Sequence, residues 1–137
     1  MYEKGCFMPP KILIVDDEPR IRLLLEQTLE DFEDMGVEIL TACNGREALE
    51  IIRIERPGLV YLDAMMPEMN GYDVCNEVKN ELALRNVYIV MLTAKGQEVD
   101  KRKGAEVGAD MYMTKPFDPD AIVVKTIEVL GINMKGR

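Results

Sequence analysis

The sequence predicts one α/β domain in which helices cover both faces of a parallel β-sheet. Three observations support this class: five nearly continuous apolar runs, amphipathic stretches between them, and a length of 137 residues of which 47% are hydrophobic. Continuous apolar runs are typical of strands that are buried on both faces. A chain of this length forms one domain with a substantial core. Right-handed crossovers would then place the carboxyl ends of all the strands at one edge of the sheet.

The first part of the chain predicts two strand–helix pairs. Lys11–Val15 is the first strand, and Pro19 is suited to the first turn of the helix that follows. Val37–Cys43 is the second strand, after which Asn44 and Glu47 resemble a capping box that opens the second helix. The apolar positions at helical spacing are Ile21, Leu24, Leu25, Thr28, Leu29 and Phe32 in the first helix and Ala48, Ile51 and Ile52 in the second.

The remainder of the chain predicts three further strand–helix pairs. The third strand, Leu59–Asp63, is followed by a helix after Gly71, and the fourth, Val87–Leu92, by a weak polar helix over Glu98–Val107. The short fifth strand, Asp110–Met113, precedes the last helix. The third helix is expected to bury Val74, Cys75, Val78 and Leu82, and the last, from Asp118 to Gly131, to bury Ile122, Val123, Ile127 and Leu130.

Composition excludes several classes of function. The net charge of -8 argues against nucleic-acid binding by this chain, and the absence of histidine excludes a His-centred triad, a His-ligated metal and a phosphohistidine of its own. Cys6, Cys43 and Cys75 lack metal-site spacing and are predicted to be reduced thiols, with Cys43 and Cys75 in the core. No apolar stretch approaches the roughly 20 residues of a membrane span, and residues 1–8 lack a signal-peptide core. We therefore expect a cytoplasmic protein that does not enter a membrane.

Five polar side chains stand where the predicted strands end. Asp16 and Asp17 follow the first strand, Asp63 ends the third, Thr93 ends the fourth and Lys115 follows the fifth. Ligand sites of open α/β sheets lie at this edge. Mg²⁺ prefers oxygen ligands and relieves repulsion between carboxylates, while a hydroxyl and an ammonium can stabilise a phosphoryl group. A carboxylate can itself accept the phosphoryl group, so the pattern predicts a Mg²⁺-dependent phosphoryl site.

Each of these residues also has an ordinary structural explanation. Asp16-Asp17 alone would usually be a helix-capping pair, and Asp63 alone is often a turn residue. Thr93 alone would be structural, and Lys115 alone a solvated surface charge. Their joint placement after four separate strands is much harder to obtain by chance, which favours the functional interpretation.

Four segments together resemble the receiver domain of two-component response regulators, over roughly Pro10 to Leu130. The resemblance implies a flavodoxin-like, doubly wound fold with five parallel strands in the order 2-1-3-4-5 and five helices. It implies boundaries of 1–9 for an N-terminal extension, 10–131 for the receiver domain and 132–137 for a tail. Whether the receiver stands alone or belongs to a longer regulator is left open. The segments are Ile12-Leu13-Ile14-Val15-Asp16-Asp17-Glu18, Leu62-Asp63-Ala64-Met65-Met66-Pro67-Glu68-Met69-Asn70-Gly71, Met91-Leu92-Thr93-Ala94 and Gly108-Ala109-Asp110-Met111-Tyr112-Met113-Thr114-Lys115-Pro116-Phe117.

The resemblance also implies roles for the site residues. Asp63 would accept a phosphoryl group from the phosphohistidine of a sensor kinase or phosphotransfer protein, and Lys115 would contact that group. Asp17, Asp63 and the backbone carbonyl of Met65 would bind Mg²⁺ directly, and Asp16 through water. No independent substrate turnover is expected, so the chain is predicted to be a phosphoacceptor rather than an enzyme.

A conformational switch is implied as well. Thr93 and Tyr112 would be the switch pair, and a downstream protein would bind the surface formed by the fourth helix, the fifth strand and the last helix, here named the output face. A cis peptide is expected between Lys115 and Pro116. Receivers that dimerise through the output face usually carry a second acid where this chain has Met111, which argues against that dimer.

Two alternatives remain beside this interpretation. A phosphohydrolase of the haloacid dehalogenase type uses similar residues, but it has a second aspartate two residues after the nucleophile, where this chain has Met65. A receiver-like module that works without phosphorylation would typically lack part of the acid set, the threonine or the lysine, and here all are present. A dinucleotide site is excluded because no glycine-rich loop follows the first strand.

Overall fold

The computed structural model describes residues 9–94 and 107–132. These residues form five parallel strands and four α-helices, the third of which continues into a π-helix. The strands are β1 (Lys11–Val15), β2 (Glu38–Ala42), β3 (Leu59–Asp63), β4 (Tyr88–Ala94) and β5 (Met111–Lys115), and the helices are α1 (Pro19–Glu33), α2 (Gly45–Glu55), α3 (Gly71–Asn76, with the π-helix Glu77–Glu81) and the C-terminal helix (Pro119–Leu130).

The sheet order is β2-β1-β3-β4-β5, which confirms the predicted topology. Val15 is paired with both Ala42 and Leu62, so the central strands end level with one another. β4 and β5 also end together, where Ala94 is paired with Lys115. The predicted helix at 98–107 lies outside the described residues apart from Val107, so this prediction stays open.

The two faces of the sheet carry separate hydrophobic clusters, and β1 contributes alternate residues to each. Leu13 and Val15 face a cluster completed by α2 and α3, whereas Ile12 and Ile14 face one completed by α1 and the C-terminal helix. The second cluster includes the buried α1 residues predicted from helical spacing, which are Leu25, Leu29 and Phe32. The clusters hold the strands rigidly, so the residues at the strand ends have fixed positions.

Side-chain caps fix the starts of α2, α3 and the C-terminal helix. Asn44 accepts a hydrogen bond from the N–H of Glu47, as predicted, but the Glu47 carboxylate accepts from the N–H of Cys43 rather than from that of Asn44. A complete reciprocal capping box occurs instead at Asn70 and Asp73, at the start of α3. This second box ends the loop that follows Asp63.

The π-helix overturns one prediction about α3. Leu82, expected to be buried, is 39% exposed, whereas Lys79 is only 5% exposed. The N–H of Leu82 bonds the carbonyl of Glu77, five residues earlier, so the segment is wound more widely than an α-helix. The wider turn shifts the inward-facing positions by about one residue, which carries Lys79 inward and Leu82 outward.

Other differences from the predictions are local. Cys75 is buried as predicted, but Cys43 is exposed because β2 ends one residue before it, so its assignment to the core is wrong. Leu24 is also more exposed than its place in the predicted stripe suggests. The fifth strand begins after Asp110 and extends to Lys115. Among the residues that the structure describes, no helix is long and apolar enough to cross a membrane.

Candidate functional site

The carboxyl ends of β1, β3 and β5 bring the predicted charged residues together. Asp16 and Asp17 directly follow β1, Asp63 is the last residue of β3, and Lys115 is the last residue of β5. Because these strands are parallel and end at one edge, residues almost a hundred positions apart in the chain become neighbours. The peptide between Lys115 and Pro116 is cis, as predicted.

The ammonium group of Lys115 bridges two carboxylates. Its Nζ lies 2.9 Å from Oδ2 of Asp16 and 3.1 Å from Oδ1 of Asp63. Burial by itself would lower the pKa of Lys115, but the hydrogen bond to Asp16 and the charges of both carboxylates raise it above the usual value. Lys115 therefore remains protonated and neutralises part of the acidic cluster.

Asp16 is the most firmly held acid of the site. It is fully buried, and its backbone N–H donates to the carbonyl of Ala42. Its Oδ1 accepts from the N–H of Glu18 at 2.9 Å, and its backbone carbonyl accepts from Nη1 of Arg22 at 2.7 Å. With the Lys115 bond, both carboxylate oxygens and both backbone groups of Asp16 have partners.

Asp63 is buried and electrostatically strained. Burial and the nearby charge of Asp16 raise the pKa of Asp63 to about 6, against the opposing effects of Lys115 and of the Met65 N–H. That N–H donates to Oδ1 of Asp63 at 3.2 Å. A divalent cation would relieve the repulsion between the neighbouring carboxylates of Asp63 and Asp16.

Asp16, Asp17 and Asp63 fit a small divalent ion. Each can offer one carboxylate oxygen, and these oxygens all lie within 4.8 Å of one another. A set of oxygen donors with one exposed member, Asp17, suits Mg²⁺, which keeps several of its waters. Binding of Mg²⁺ by the backbone carbonyl of Met65, and by Asp16 through a water, remains a prediction.

Thr93 and Tyr112 lie on the neighbouring strands β4 and β5. Thr93 is buried near the end of β4, and its hydroxyl donates to the carbonyl of Met113 at 3.4 Å. Tyr112 is half-buried on β5 and packs against the cluster formed with α2 and α3. The structure therefore places the predicted switch pair on adjacent strands, with Thr93 facing β5.

Two glycines hold the loop that follows Asp63. A Cβ on Gly71 would collide with the carbonyl oxygen of Asp63 and would lie 2.9 Å from Cα of Ala64. A Cβ on Gly45, at the start of α2, would collide with the carbonyl oxygen of Met69. Both ends of the loop are thus fixed by backbone approaches that only glycine permits.

One contributing residue was missed from the sequence. Arg22 was not singled out. It lies six residues after Asp16 and one turn into α1, which is compatible with a contact to the turn that contains Asp16 and Asp17. In helical stretches basic residues are usually solvated, and the sequence alone gave no reason to treat Arg22 differently from Arg20.

Comparisons with known proteins agree on the family. Residues 12–127 match the family model described as "Response regulator receiver domain". The chain is 48% identical over 120 residues to the probable transcriptional regulator ycf27 of Porphyra purpurea, covering 88% of this chain and 47% of that protein. It is 42% identical over 123 residues to the alkaline phosphatase synthesis transcriptional regulatory protein PhoP of Bacillus subtilis, covering 90% of this chain and 49% of that one. The chain therefore spans about half the length of these curated relatives.

Solved structures show the same fold. Chemotaxis protein CheY4 of Vibrio cholerae superposes with a TM-score of 0.76 at 33% identity, covering 88% of this chain and 98% of that chain. A CheY-like receiver domain protein of Methanospirillum hungatei superposes with a TM-score of 0.74 at 32% identity, covering 89% and 94%. The family match, the sheet order and the acidic cluster lead to one conclusion. The chain belongs to the receiver domain family of two-component response regulators.

Proposed function

We propose that Asp63 accepts a phosphoryl group from the phosphohistidine of a sensor kinase or phosphotransfer protein, with Mg²⁺ bound by the acidic cluster. The observation that carries this proposal is the Lys115 bridge to Asp16 and Asp63, with the Asp17 carboxylate within reach of both acids. A phosphoryl group needs positioning and charge stabilisation, and these residues can supply both.

The transfer step uses a carboxylate oxygen of Asp63 as the nucleophile. This oxygen forms a bond to phosphorus as the phosphorus–nitrogen bond of the donor breaks, and the electron pair of that bond returns to the donor imidazole. The product is a mixed anhydride on Asp63. Lys115 is placed to contact the transferred phosphoryl oxygens, because its ammonium already lies 3.1 Å from the Asp63 carboxylate.

Magnesium, when bound, supplies positive charge that offsets the repulsion between the incoming phosphoryl group and the carboxylates. Asp17 and Asp63 would bind the ion directly and Asp16 through water. Asp16 is suited to the indirect role because its two carboxylate oxygens are already engaged by Glu18 and Lys115. We infer that the chain performs this transfer on itself and does not turn over an independent substrate.

Mass spectrometry after incubation with acetyl phosphate and Mg²⁺ tests the acceptor. The wild-type chain should gain one phosphoryl group, and Asp63→Asn should gain none while keeping its fold. Omitting Mg²⁺ should strongly reduce the modification. Equal modification of wild type and Asp63→Asn would refute the assignment.

Phosphorylation is proposed to change the output face through Thr93 and Tyr112. The Thr93 hydroxyl would leave the Met113 carbonyl and bond the phosphoryl group, and Tyr112 would fill the space behind it. Inward and outward positions of Tyr112 would both exist beforehand, so the effect is a population shift.

Because the relatives named above are transcriptional regulators, we propose that the partner controls transcription in the cytoplasm. The net charge of -8 disfavours direct DNA binding by this chain.

Beryllofluoride, which mimics the phosphoryl group, tests the switch by NMR. The amide resonances of Tyr112 and of residues 98–107 should shift when beryllofluoride and Mg²⁺ are added to the wild type. Thr93→Ala should keep the shifts near Asp63 and lose those at Tyr112. Wild-type shifts confined to the Asp63 loop would rule out the switch.

A further inference from the structure

We propose that Arg22 is a positioning residue for the magnesium site, because it fixes the backbone from which Asp17 extends. The inference rests on the proposed function, in which Asp17 binds the ion directly. Arg22 lies near the start of α1, and its Nη1 donates to the backbone carbonyl of Asp16 at 2.7 Å. A hydrogen bond from a charged donor is roughly twice as strong as one between neutral groups.

Asp17 depends on this support more than the other two acids. The carboxylates of Asp16 and Asp63 both accept hydrogen bonds from Lys115. Asp17 is exposed, and its carboxylate makes no hydrogen bond or ion pair with any residue in the ranges 9–94 and 107–132. Among the described residues, only the backbone that carries Asp17 therefore restricts where its carboxylate can lie.

The Arg22 contact acts directly on that backbone. The carbonyl of Asp16 belongs to the peptide group that joins Asp16 to Asp17, so a bond to this oxygen fixes the plane of that peptide. The backbone N–H of Arg22 also bonds the carbonyl of Glu18 at 3.2 Å. Arg22 thus holds the turn between β1 and α1 at two points.

The Asp16 side chain restrains the peptide after Asp17, through the N–H of Glu18, but the carbonyl of the peptide before Asp17 is held by Arg22. Glu18 occupies the N-cap position of α1 but its side chain makes no capping bond. Without the Arg22 contact, the carboxylate and the backbone N–H of Asp16 would keep their hydrogen bonds. The turn would lose the bond to the Asp16 carbonyl, which orients the peptide between Asp16 and Asp17. Groups that orient metal ligands typically change metal affinity by about 10- to 100-fold when they are removed.

Arg20 provides a matched control for charge. It lies two residues before Arg22 on the same helix, is exposed, and makes no ion pair with a described residue. Arg20→Met removes the same positive charge as Arg22→Met without removing a contact to the turn. The two substitutions therefore separate positioning from general electrostatic attraction.

Isothermal titration of the 137-residue chain with Mg²⁺ at neutral pH tests the proposal. Arg22→Met should weaken Mg²⁺ binding by about tenfold or more, and Arg20→Met should leave it unchanged. In an Asp17→Asn background, Arg22→Met should cause almost no further loss, because Arg22 acts through Asp17. Melting temperatures in EDTA report the stability of each variant separately from its affinity for the ion.

Three results would overturn the proposal: wild-type Mg²⁺ affinity in Arg22→Met, an equal loss in Arg20→Met, or an undiminished loss in the Asp17→Asn background. If Arg22→Met does not fold, Arg22→Lys takes its place, since lysine keeps the positive charge and can still donate a hydrogen bond but lacks the planar guanidinium. The smaller loss of Mg²⁺ affinity expected for Arg22→Lys should also vanish in the Asp17→Asn background. A loss that persists there would overturn the proposal. Failure of the wild type to bind Mg²⁺ would instead contradict the proposed function itself.

Discussion

Asp63 is the residue whose ionisation we expect to control metal binding at the site. Burial and the charge of Asp16 raise its pKa to about 6, so below that pH a proton must leave before the carboxylate can bind an ion. We expect the Mg²⁺ affinity to be constant above about pH 7 and to fall by about tenfold per pH unit below about pH 6. Calorimetric titrations across this range measure the effect. Asp63→Asn should bind more weakly and should show no bend near pH 6; a wild-type affinity that is flat down to about pH 5 would contradict the expectation.

The same ionisation predicts how the stability of the metal-free protein depends on pH. The folded state binds the Asp63 proton more tightly than the unfolded chain, whose carboxyl has the ordinary pKa of 3.8. The unfolding free energy in EDTA should therefore contain a component that is present below about pH 4 and is lost as the pH rises to about 6. Urea titrations of wild type and Asp63→Asn isolate this component, which only the wild type should show. Adding Mg²⁺ above that range should restore stability.

Met65 is expected to set the lifetime of the phosphorylated state. Met65 is 55% exposed and follows Asp63 by two residues, so we expect its side chain to flank the path of an attacking water. A thioether cannot act as a general base, so we expect slow self-dephosphorylation. Met65→Asn or Met65→Glu should accelerate the loss of phosphate by about tenfold or more, and Met65→Leu should not. Phosphate release from the purified phosphoprotein measures the rate, and no acceleration in either polar variant would count against the idea.

At the scale of elements, the end of α3 is where sequence reasoning failed. The apolar spacing of α3 predicted that Leu82 would be buried, because the pattern was extended at 3.6 residues per turn. A single π-turn breaks that spacing and leaves no apolar signature of its own. Lys79 is carried inward instead, where its Nζ lies 2.8 Å from Oδ2 of Asp110. Asp110 also accepts from the N–H of Ile89, so α3 is joined to β4 and to the start of β5.

The ion pair between Lys79 and Asp110 predicts that Lys79→Ala lowers the stability of the protein more than Arg53→Ala does. Lys79→Ala removes the buried ammonium that faces the partly exposed Asp110 carboxylate, which keeps its hydrogen bond from the N–H of Ile89, and should lower the unfolding free energy by about 1–2 kcal/mol. Arg53→Ala removes the exposed pair with Glu50, 3.6 Å apart, and should change it by less than about 0.5 kcal/mol. Chemical denaturation of both variants makes the comparison. Similar small effects would mean that the ion pair between Lys79 and Asp110 contributes little to stability.

At the scale of the whole molecule, sheet order and site location could both be predicted. Near-continuous apolar strands alternating with helices allow few topologies, and parallel strands end at one edge, so Asp16, Asp63 and Lys115 had to meet. What could not be predicted were contacts that depend on side-chain direction. The bond from Arg22 to Asp16, the exposure of Asp17 and the Thr93 contact to Met113 all arise from rotamers that carry no periodic signal.

The buried hydroxyl of Tyr61 connects the central sheet to the C-terminal helix. It lies 3.0 Å from the carbonyl of Ile122 and 2.7 Å from the hydroxyl of Thr126. Tyr61→Phe should lower the unfolding free energy by about 1–2 kcal/mol and leave one cooperative transition, because the apolar contacts of the ring remain. Near- and far-UV circular dichroism should follow the same curve. Separate unfolding of the C-terminal helix would contradict this expectation.

The glycine contacts at Gly45 and Gly71 bear on how the protein could be re-engineered for a different kinase. They hold the ends of the loop 64–70 against the sheet and α2, so a larger residue at either position would displace the backbone of this loop. The exposed loop residues Pro67 and Glu68 make no such close approach, and Glu68, with a φ of 65°, is best replaced by glycine, asparagine or aspartate. A library that varies those two positions and keeps Met65 and both glycines would change the surface offered to a donor while preserving the chemistry beneath it.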